Sequence, residues 1–224
     1  MIKHLLIALV ASILTIASGT ATSQGPDRDG VPDTPGTGAH PALKEIDPGL
    51  AGHVIYRPVD LAGLGETRLG VYVFGNGGCS DDAASSRLHL LEIASHGYVA
   101  ISPGAIYNGP GKSERTGPGP SGPSGPPATR AEQLSEATDW ILEENQRSGS
   151  RYYGRIDPAA IAVFGFSCGR VQALMIAVDP RIGTAVIMNQ LRGSEEAGNA
   201  FLGASCGLCA NPDWEFETRG FDRL

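Results

Sequence analysis

The chain has 224 residues, a formal net charge of −7 and 41% hydrophobic residues. That length is enough for one domain with a sizeable buried core. The acidic balance, without any basic stripe or lysine- and arginine-rich run, excludes a nucleic-acid-binding surface of the usual kind. Aromatic residues make up only 6% of the chain, so aliphatic side chains and alanine must build the core.

The N-terminal sequence predicts export rather than a folded element. Residues 1–21 have the parts of a secretory signal peptide: a basic start, an apolar stretch over 5–16, and a small-x-small cleavage site. The apolar stretch is too short for a comfortable membrane span, so we expect none after signal removal; an uncleaved anchor is the alternative. Residues 22–44 are rich in Gly, Pro, Asp and Thr, which predicts a disordered linker. We therefore expect a secreted or periplasmic protein.

Strands and helices alternate in the core, which we expect to span residues 45–191. Runs that are apolar throughout predict strands buried on both faces. In chain order we predict an edge strand at 53–56, a strand at 69–74, a helix at 82–95, a strand at 98–101, a helix from a capping box at 129–132 to residue 146, a strand at 161–164, a helix at 168–178 and a strand at 182–188. This order predicts an α/β fold with three layers and a mostly parallel sheet.

Two segments depart from this pattern. Between residues 103 and 127, seven glycines and seven prolines fall in 25 residues, which favours a flexible, solvated loop. Residues 192–224 show neither helical nor strand periodicity, and we expect them to form an atypical tail.

The pentapeptide Gly165–Gly169 has the G-x-S-x-G pattern of a nucleophile elbow, with Ser167 in the position of the nucleophile. A serine hydroxyl is a weak nucleophile unless a base and an oxyanion-binding site lie close to it. A sharp turn from strand to helix presents the hydroxyl at the sheet edge, and crowding there requires small residues such as Gly165 and Gly169. The apolar strand before the pattern and the helical run after it favour this interpretation over an ordinary serine in a tight turn.

Backbone amides are the expected donors to an oxyanion. The amide of Cys168 should lie at the N-terminus of the helix that follows the serine. A second donor should come from the loop after an earlier strand, where the glycine-rich segment 75–80 offers Gly78 and Cys79. A phosphate-binding loop is the competing interpretation, but the segment lacks the G-x-x-x-x-G-K-[ST] pattern and the acidic residue expected for dinucleotides.

Four segments together resemble one branch of the α/β-hydrolase superfamily, the secreted serine esterases similar to dienelactone hydrolases, cutinases and polyester hydrolases. They are residues 74–80, 92–98, 154–157 and the pentapeptide 165–169. The resemblance covers roughly residues 45–190 and implies a Ser-Asp-His triad, a small-molecule or polymeric ester substrate, no metal and no organic cofactor. It also implies that Cys79 and Cys168 flank the oxyanion hole closely enough to form a disulfide; two buried free thiols are the alternative.

The cysteine count of four suits disulfides in an exported protein, although spacing alone does not determine which sulfurs pair. Cys206 and Cys209 form a lone Cys-x-x-Cys pair. No second Cys or His pair accompanies them, so the pair alone does not favour a zinc or redox site.

No histidine follows Ser167, although the chain order in this fold is Ser, then Asp or Glu, then His. The five histidines are His4, His40, His53, His89 and His96. We expect His53 and His96 at the sheet edge opposite the elbow and His89 on a helix, so none is a candidate base. The tail is therefore interpreted as the truncated or frameshifted end of a once-complete gene.

These features predict a secreted serine hydrolase acting on carboxylic esters, with Ser167 as nucleophile and no base provided by the sequence. The alternative is a catalytically inactive, truncated or frameshifted hydrolase-fold remnant or binding protein. An acyltransferase on this fold would differ only in its acceptor. An oxyanion hole without a complete triad retains some catalysis over water, several orders of magnitude below that of an intact enzyme.

Overall fold

The computed structural model describes residues 30–115 and 126–183. The predicted signal peptide, the start of the linker, the middle of the Gly/Pro-rich loop and the tail lie outside these ranges. The strand predicted at 182–188 lies outside them from residue 184 onward.

Within the described ranges, five strands form one mixed sheet in the order β1-β2-β4-β3-β5. They are β1 (Ala42–Glu45), β2 (His53–Pro58), β3 (Leu69–Gly75), β4 (Tyr98–Pro103) and β5 (Ile156–Gly165). β4, β3 and β5 run parallel, whereas β2 is antiparallel to both β1 and β4. The α/β class predicted from the alternation is confirmed, and three of the strands in the described residues run parallel.

Helices cover both faces of this sheet. They are α1 (Arg87–Ser95), α2 (Ala131–Gln146) and α3 (Cys168–Ile176). One core joins α1 to the sheet through buried residues that include Leu90, Leu91, Tyr56, Tyr72 and Ala100; the other joins α2 and α3 to it through Leu134, Ile141, Ile176, Val71 and Val163. Side chains alternate across a strand, so neighbouring residues of β3 enter different cores. The described residues therefore form three layers.

The disordered linker predicted for residues 22–44 is wrong from residue 30 onward. Its last residues form β1, and the preceding segment is held on α1 by polar contacts. The amide of Thr37 donates to the carboxylate of Glu92 at 2.9 Å, and the buried guanidinium of Arg87 donates to Asp33 at 3.1 Å. The prediction of disorder rested on the low apolar content of this segment. Its fixed position depends instead on hydrogen bonds and ion pairs.

The strand at 53–56 is wrong as an edge strand, because β2 pairs with β1 on one side and β4 on the other. The helix predicted from residue 82 begins only at Arg87. Asp82 forms a turn instead: its carboxylate accepts hydrogen bonds from the amide of Ala84 at 3.1 Å and the side chain of Asn108 at 2.6 Å. The acidic residue thus stabilises a loop rather than the helix N-terminus.

The helix cap predicted at 129–132 lies one residue further along. α2 begins at Ala131, and the amide of Arg130 donates to the side-chain oxygen of Gln133 at 2.9 Å. The predicted end of this helix at residue 146 is confirmed. Thr129 is buried and contacts α3 instead, as the site below shows.

The flexible loop predicted over 103–127 is wrong for its first half. Ala105 bridges to Asp82 and accepts a hydrogen bond from the amide of Ala83 at 2.9 Å. Ile106 is buried, and Arg115 stacks on Tyr107 at 3.8 Å from the ring centre. Backbone pairing with the loop after β3 therefore orders residues that composition alone assigned to solvent.

Candidate active site at Ser167

Ser167 lies at the turn between β5 and α3, with backbone angles of φ 53° and ψ −117° and an exposed side chain. A positive φ is unfavourable for a residue with a side chain, and it persists only where the surroundings over-determine it. Because α3 begins at the next residue, the hydroxyl stands at the carboxyl edge of the parallel strands. The pentapeptide thus forms a sharp, strained strand-to-helix turn.

Two close backbone approaches require the glycines of the pentapeptide: Gly169 lies against the end of β3, and Gly165 lies against the first turn of α3. A Cβ on Gly169 would overlap the carbonyl group of Gly75 and come within 2.7 Å of the amide nitrogen of Asn76. A Cβ on Gly165 would overlap the backbone of Gly169. The amide of Phe166 also donates to the carbonyl of Gly75 at 3.2 Å. The turn can therefore pack on β3 only if both positions lack a side chain.

The loop after β3 packs against the N-terminus of α3. Gly78 and Cys79 are both left-handed, with φ of 65° and 46°. Asn76 is fully buried and braces the loop: its side-chain amide donates to the carbonyls of Ser80 at 2.9 Å and Pro103 at 2.7 Å. The loop is thereby tied to the end of β4.

A disulfide joins Cys79 to Cys168, with their Cα atoms 5.2 Å apart, which confirms the pairing implied by the resemblance. It connects the loop after β3 to the first residue of α3. The carbonyl of Cys79 accepts hydrogen bonds from the amides of Ala128 and Thr129 at 3.0 and 2.9 Å. The side chain of Gln172 then donates to the carbonyl of Thr129 at 2.6 Å. Covalent and hydrogen bonds thus form a closed ring beside the turn.

The three predicted oxyanion donors differ in whether their amides are engaged. The amide of Cys79 donates to the carbonyl of Asn76 at 3.2 Å. Across residues 30–115 and 126–183, no hydrogen bond uses the amide of Gly78 or that of Cys168. The amide of Cys168 belongs to the first helical residue, whose N–H has no partner inside the helix. Gly78 and Cys168 therefore retain amides for a ligand.

His53 lies at the same sheet edge as Ser167, so its predicted position at the opposite edge is wrong. It pairs with Pro103 at the carboxyl end of β4, because β2 runs antiparallel to β4. Its buried ring faces two backbone carbonyls, with Nδ1 3.3 Å from Ala51 and Nε2 2.9 Å from Gln133. These contacts hold the ring between β2 and α2.

His96 and His89 form hydrogen bonds on or beside α1. His96 follows α1 and lies at the amino end of β4, as predicted, with Nε2 3.0 Å from the carboxylate of Glu92. His89 lies on α1, where its Nε2 is 3.1 Å from the hydroxyl of Tyr72 and burial lowers its pKa. In the described part of the chain, no histidine forms a hydrogen bond with Ser167.

Three side chains that support the turn were not predicted: Asn76, Thr129 and Gln172. Gln172 carried a usable signal, because it occupies the buried face of α3 together with Gly169, Ala173 and Ile176. A polar residue on an otherwise apolar helical face usually has a specific hydrogen-bond partner. For the other two residues, the partner is set by contacts between distant segments.

Within residues 30–115 and 126–183, no cluster of three or more His, Cys, Asp or Glu side chains could hold a metal ion. No helix in these ranges is long and apolar enough to cross a membrane. Compared with known proteins, the sequence matches no family model and no curated protein. The function therefore has to be derived from the geometry at Ser167.

Proposed function

We propose that this chain is a serine hydrolase of carboxylic esters, built on an α/β-hydrolase-type fold with Ser167 as nucleophile. The observation that carries the proposal is the backbone of Ser167, a left-handed residue with a side chain at an exposed strand-to-helix turn. Strain of this kind concentrates at functional positions. The disulfide and the buried Asn76 hold the surrounding loops and so support the same interpretation.

Ser167 would form a bond from its oxygen to the acyl carbon while the carbonyl oxygen gains negative charge. The unengaged amides of Cys168 and Gly78 are the donors best suited to that oxygen, since preorganised N–H groups stabilise a developing oxyanion. Cys79 is the weaker candidate because its amide already donates to Asn76. The alcohol would leave with a proton, and water would later release the acid from the acyl-enzyme.

Residues 30–115 and 126–183 provide no histidine that is hydrogen-bonded to Ser167 as a general base. His53, His89 and His96 are engaged elsewhere, and no histidine follows Ser167 in the sequence. Without a general base, Ser167 would lose its proton to water or a weak base, which would lower the rate by several orders of magnitude relative to a complete triad. This supports the second candidate, a catalytically inactive protein of the same fold that binds ester-like ligands.

Export to an oxidising compartment is part of the proposal. The N-terminal sequence has the pattern of a signal peptide, and the Cys79–Cys168 disulfide is stable only outside the reducing cytosol in most organisms. The substrate would be a small-molecule or polymeric ester, since the exposed turn presents the hydroxyl at the sheet edge.

Reaction with a fluorophosphonate probe distinguishes the two candidates. The parent chain, Ser167→Ala and a matched control, Ser148→Ala in the exposed loop after α2, would be labelled and analysed by intact mass. A hydrolase predicts one adduct in the parent and the control and none in Ser167→Ala. Hydrolysis of a p-nitrophenyl ester that depends on Ser167 would establish turnover. A folded parent that takes up no probe would refute the catalytic proposal.

A further inference from the structure

Arg87 carries a buried charge that joins two segments lying far apart in the chain. Its side chain is 0% exposed, and charged side chains are seldom buried completely unless they are paired. The Nε atom donates to the carboxylate of Asp33 at 3.1 Å, and Nη2 donates to the carbonyl of Val31 at 2.7 Å. Nη1 donates to the side-chain oxygen of Asn108 at 2.6 Å. The guanidinium therefore connects the N-terminal segment, residues 30–41, to the loop after β4.

Asn108 extends this connection to the loop after β3. Its side-chain amide donates to one carboxylate oxygen of Asp82 at 2.6 Å. The other oxygen of Asp82 accepts hydrogen bonds from the amides of Ala84 at 3.1 Å and Tyr107 at 3.2 Å. Asn108 can make both contacts because an amide side chain carries an acceptor and a donor. The position of Asp82 is thus tied through one side chain to that of Arg87.

Ser80 connects Asp82 to the turn that contains Gly78. The amide of Asp82 donates to the hydroxyl of Ser80 at 3.0 Å. The amide of Ser80 donates to the carbonyl of Gly77 at 3.2 Å, and its carbonyl accepts from the side chain of Asn76 at 2.9 Å. These bonds enclose the left-handed Gly78, whose amide has no acceptor among the described residues. The direction of the Gly78 amide therefore depends on the position of Ser80.

We propose that Arg87 is a positioning residue for the oxyanion donor Gly78, and that residues 30–41 thereby take part in the candidate active site. Arginine suits this place because its planar guanidinium fixes several partners at once. The inference rests on the proposed function, since the Gly78 amide contributes to chemistry only if Ser167 reacts. The hydrogen bonds that carry the effect form a series: Asp33, Arg87, Asn108, Asp82 and Ser80.

Variants that interrupt the series test the inference. Asn108→Ala removes the link to Asp82, and we expect the rate at which a fluorophosphonate probe labels Ser167 to fall by about 2- to 30-fold. Thr37→Ala is the matched control, because it removes a hydrogen bond to Glu92 that holds the same N-terminal segment but lies outside the series. Its labelling rate should stay near that of the parent. An unchanged rate in Asn108→Ala, or equal losses in the two variants, would overturn the inference.

A double variant tests whether the contacts act in series. Asp33→Ala should lower the labelling rate by itself. It should lower the rate no further when Asn108→Ala already interrupts the series, since residues that act through one connection have non-additive effects. Losses that add in D33A/N108A would overturn the inference.

The amide resonances of Gly78 and Cys79, measured by NMR, separate failure of the inference from failure of the proposed function. Asn108→Ala should shift both resonances, whereas Thr37→Ala should leave them in place. A folded parent that takes up no probe would refute the proposed chemistry, and the resonances would still test the positioning. Unchanged resonances in Asn108→Ala would overturn it. If circular dichroism shows that Asn108→Ala does not fold, Asn108→Asp replaces it, because a carboxylate keeps an acceptor for the guanidinium and loses the donor.

Discussion

Removal of the Cys79–Cys168 disulfide should strongly destabilise this protein. The bridge joins residues 89 positions apart, so it restricts a long loop of the unfolded chain. For a loop of that length, the lost chain entropy corresponds to about 4.6 kcal/mol at 25 °C. Measured losses from native bridges run from about 2 to 5 kcal/mol, a large share of the typical stability of a domain. We expect the free energy of unfolding of the double variant C79A/C168A to be about 2–5 kcal/mol lower than that of the parent protein.

Urea unfolding followed by far-UV circular dichroism, without reductant, measures that change. C206A/C209A is the matched control, because it removes the same number of sulfurs. Its cysteines are three positions apart, so a bridge between them would close only a short loop and add less stability.

A loss below about 1 kcal/mol in C79A/C168A would refute this reasoning, provided that mass spectrometry finds the bridge in the parent protein. A loss in C206A/C209A as large as in C79A/C168A would refute it too. Under conditions where C79A/C168A remains folded, the labelling rate of Ser167 should also fall, because the two loops that hold the Gly78 and Cys168 amides are no longer connected.

Two further changes test the packing at the turn and the N-terminal segment. Gly169→Ala places a methyl group against the carbonyl of Gly75, and we expect a loss of about 1–3 kcal/mol in urea unfolding together with slower labelling of Ser167. Hydrogen bonds from Thr37 lower the pKa of Glu92 below its usual 4.5, so the stability they add is complete above that pH and lost as pH falls through the folded-state pKa. The melting temperature of Glu92→Gln should therefore fall less than that of the parent protein as the pH is lowered below about 5, measured by circular dichroism.

Matched controls accompany both changes. Gly30→Ala adds a methyl group where nothing lies within 4 Å, so its stability should stay near that of the parent. Glu143→Gln removes an exposed carboxylate on α2, and its melting temperature should fall with decreasing pH as steeply as that of the parent protein. A Gly169→Ala protein as stable as the parent would contradict the packing at the turn. If the melting temperature of Glu92→Gln fell as steeply with decreasing pH as that of the parent protein, the hydrogen bonds from Thr37 would not stabilise the ionised Glu92 carboxylate.

Elements with a strong local pattern could be predicted closely. The run at 69–74 became β3, which extends one residue further, and α2 ends where its pattern ends. Both follow from burial of apolar side chains at a regular period, which neighbouring residues determine among themselves. The turn at Ser167 could also be predicted from a local pattern, because a strand, two glycines and a helix lie within a few consecutive positions.

Positions that depend on distant partners could not be predicted. The helix was predicted to begin at Asp82, but the Asp82 carboxylate accepts a hydrogen bond from Asn108 on another loop and lies in a turn instead. His53 was assigned to the wrong sheet edge because the direction of β2 depends on its pairing with β4. Hydrogen bonds to side chains of α1 hold residues 30–41 in place, and such contacts cannot be predicted from the composition of the segment.

By itself, the sequence determined the candidate nucleophile, the glycines of its turn and the absence of a histidine after it, since these are matters of local order along the chain. Only the tertiary structure decided that, among the described residues, the amide of Cys79 has a hydrogen-bond acceptor while those of Gly78 and Cys168 have none, and that Asn76 and Gln172 hold the loops. These outcomes depend on hydrogen bonds between segments far apart in the chain, which form only when the sheet brings β3, β4 and β5 side by side.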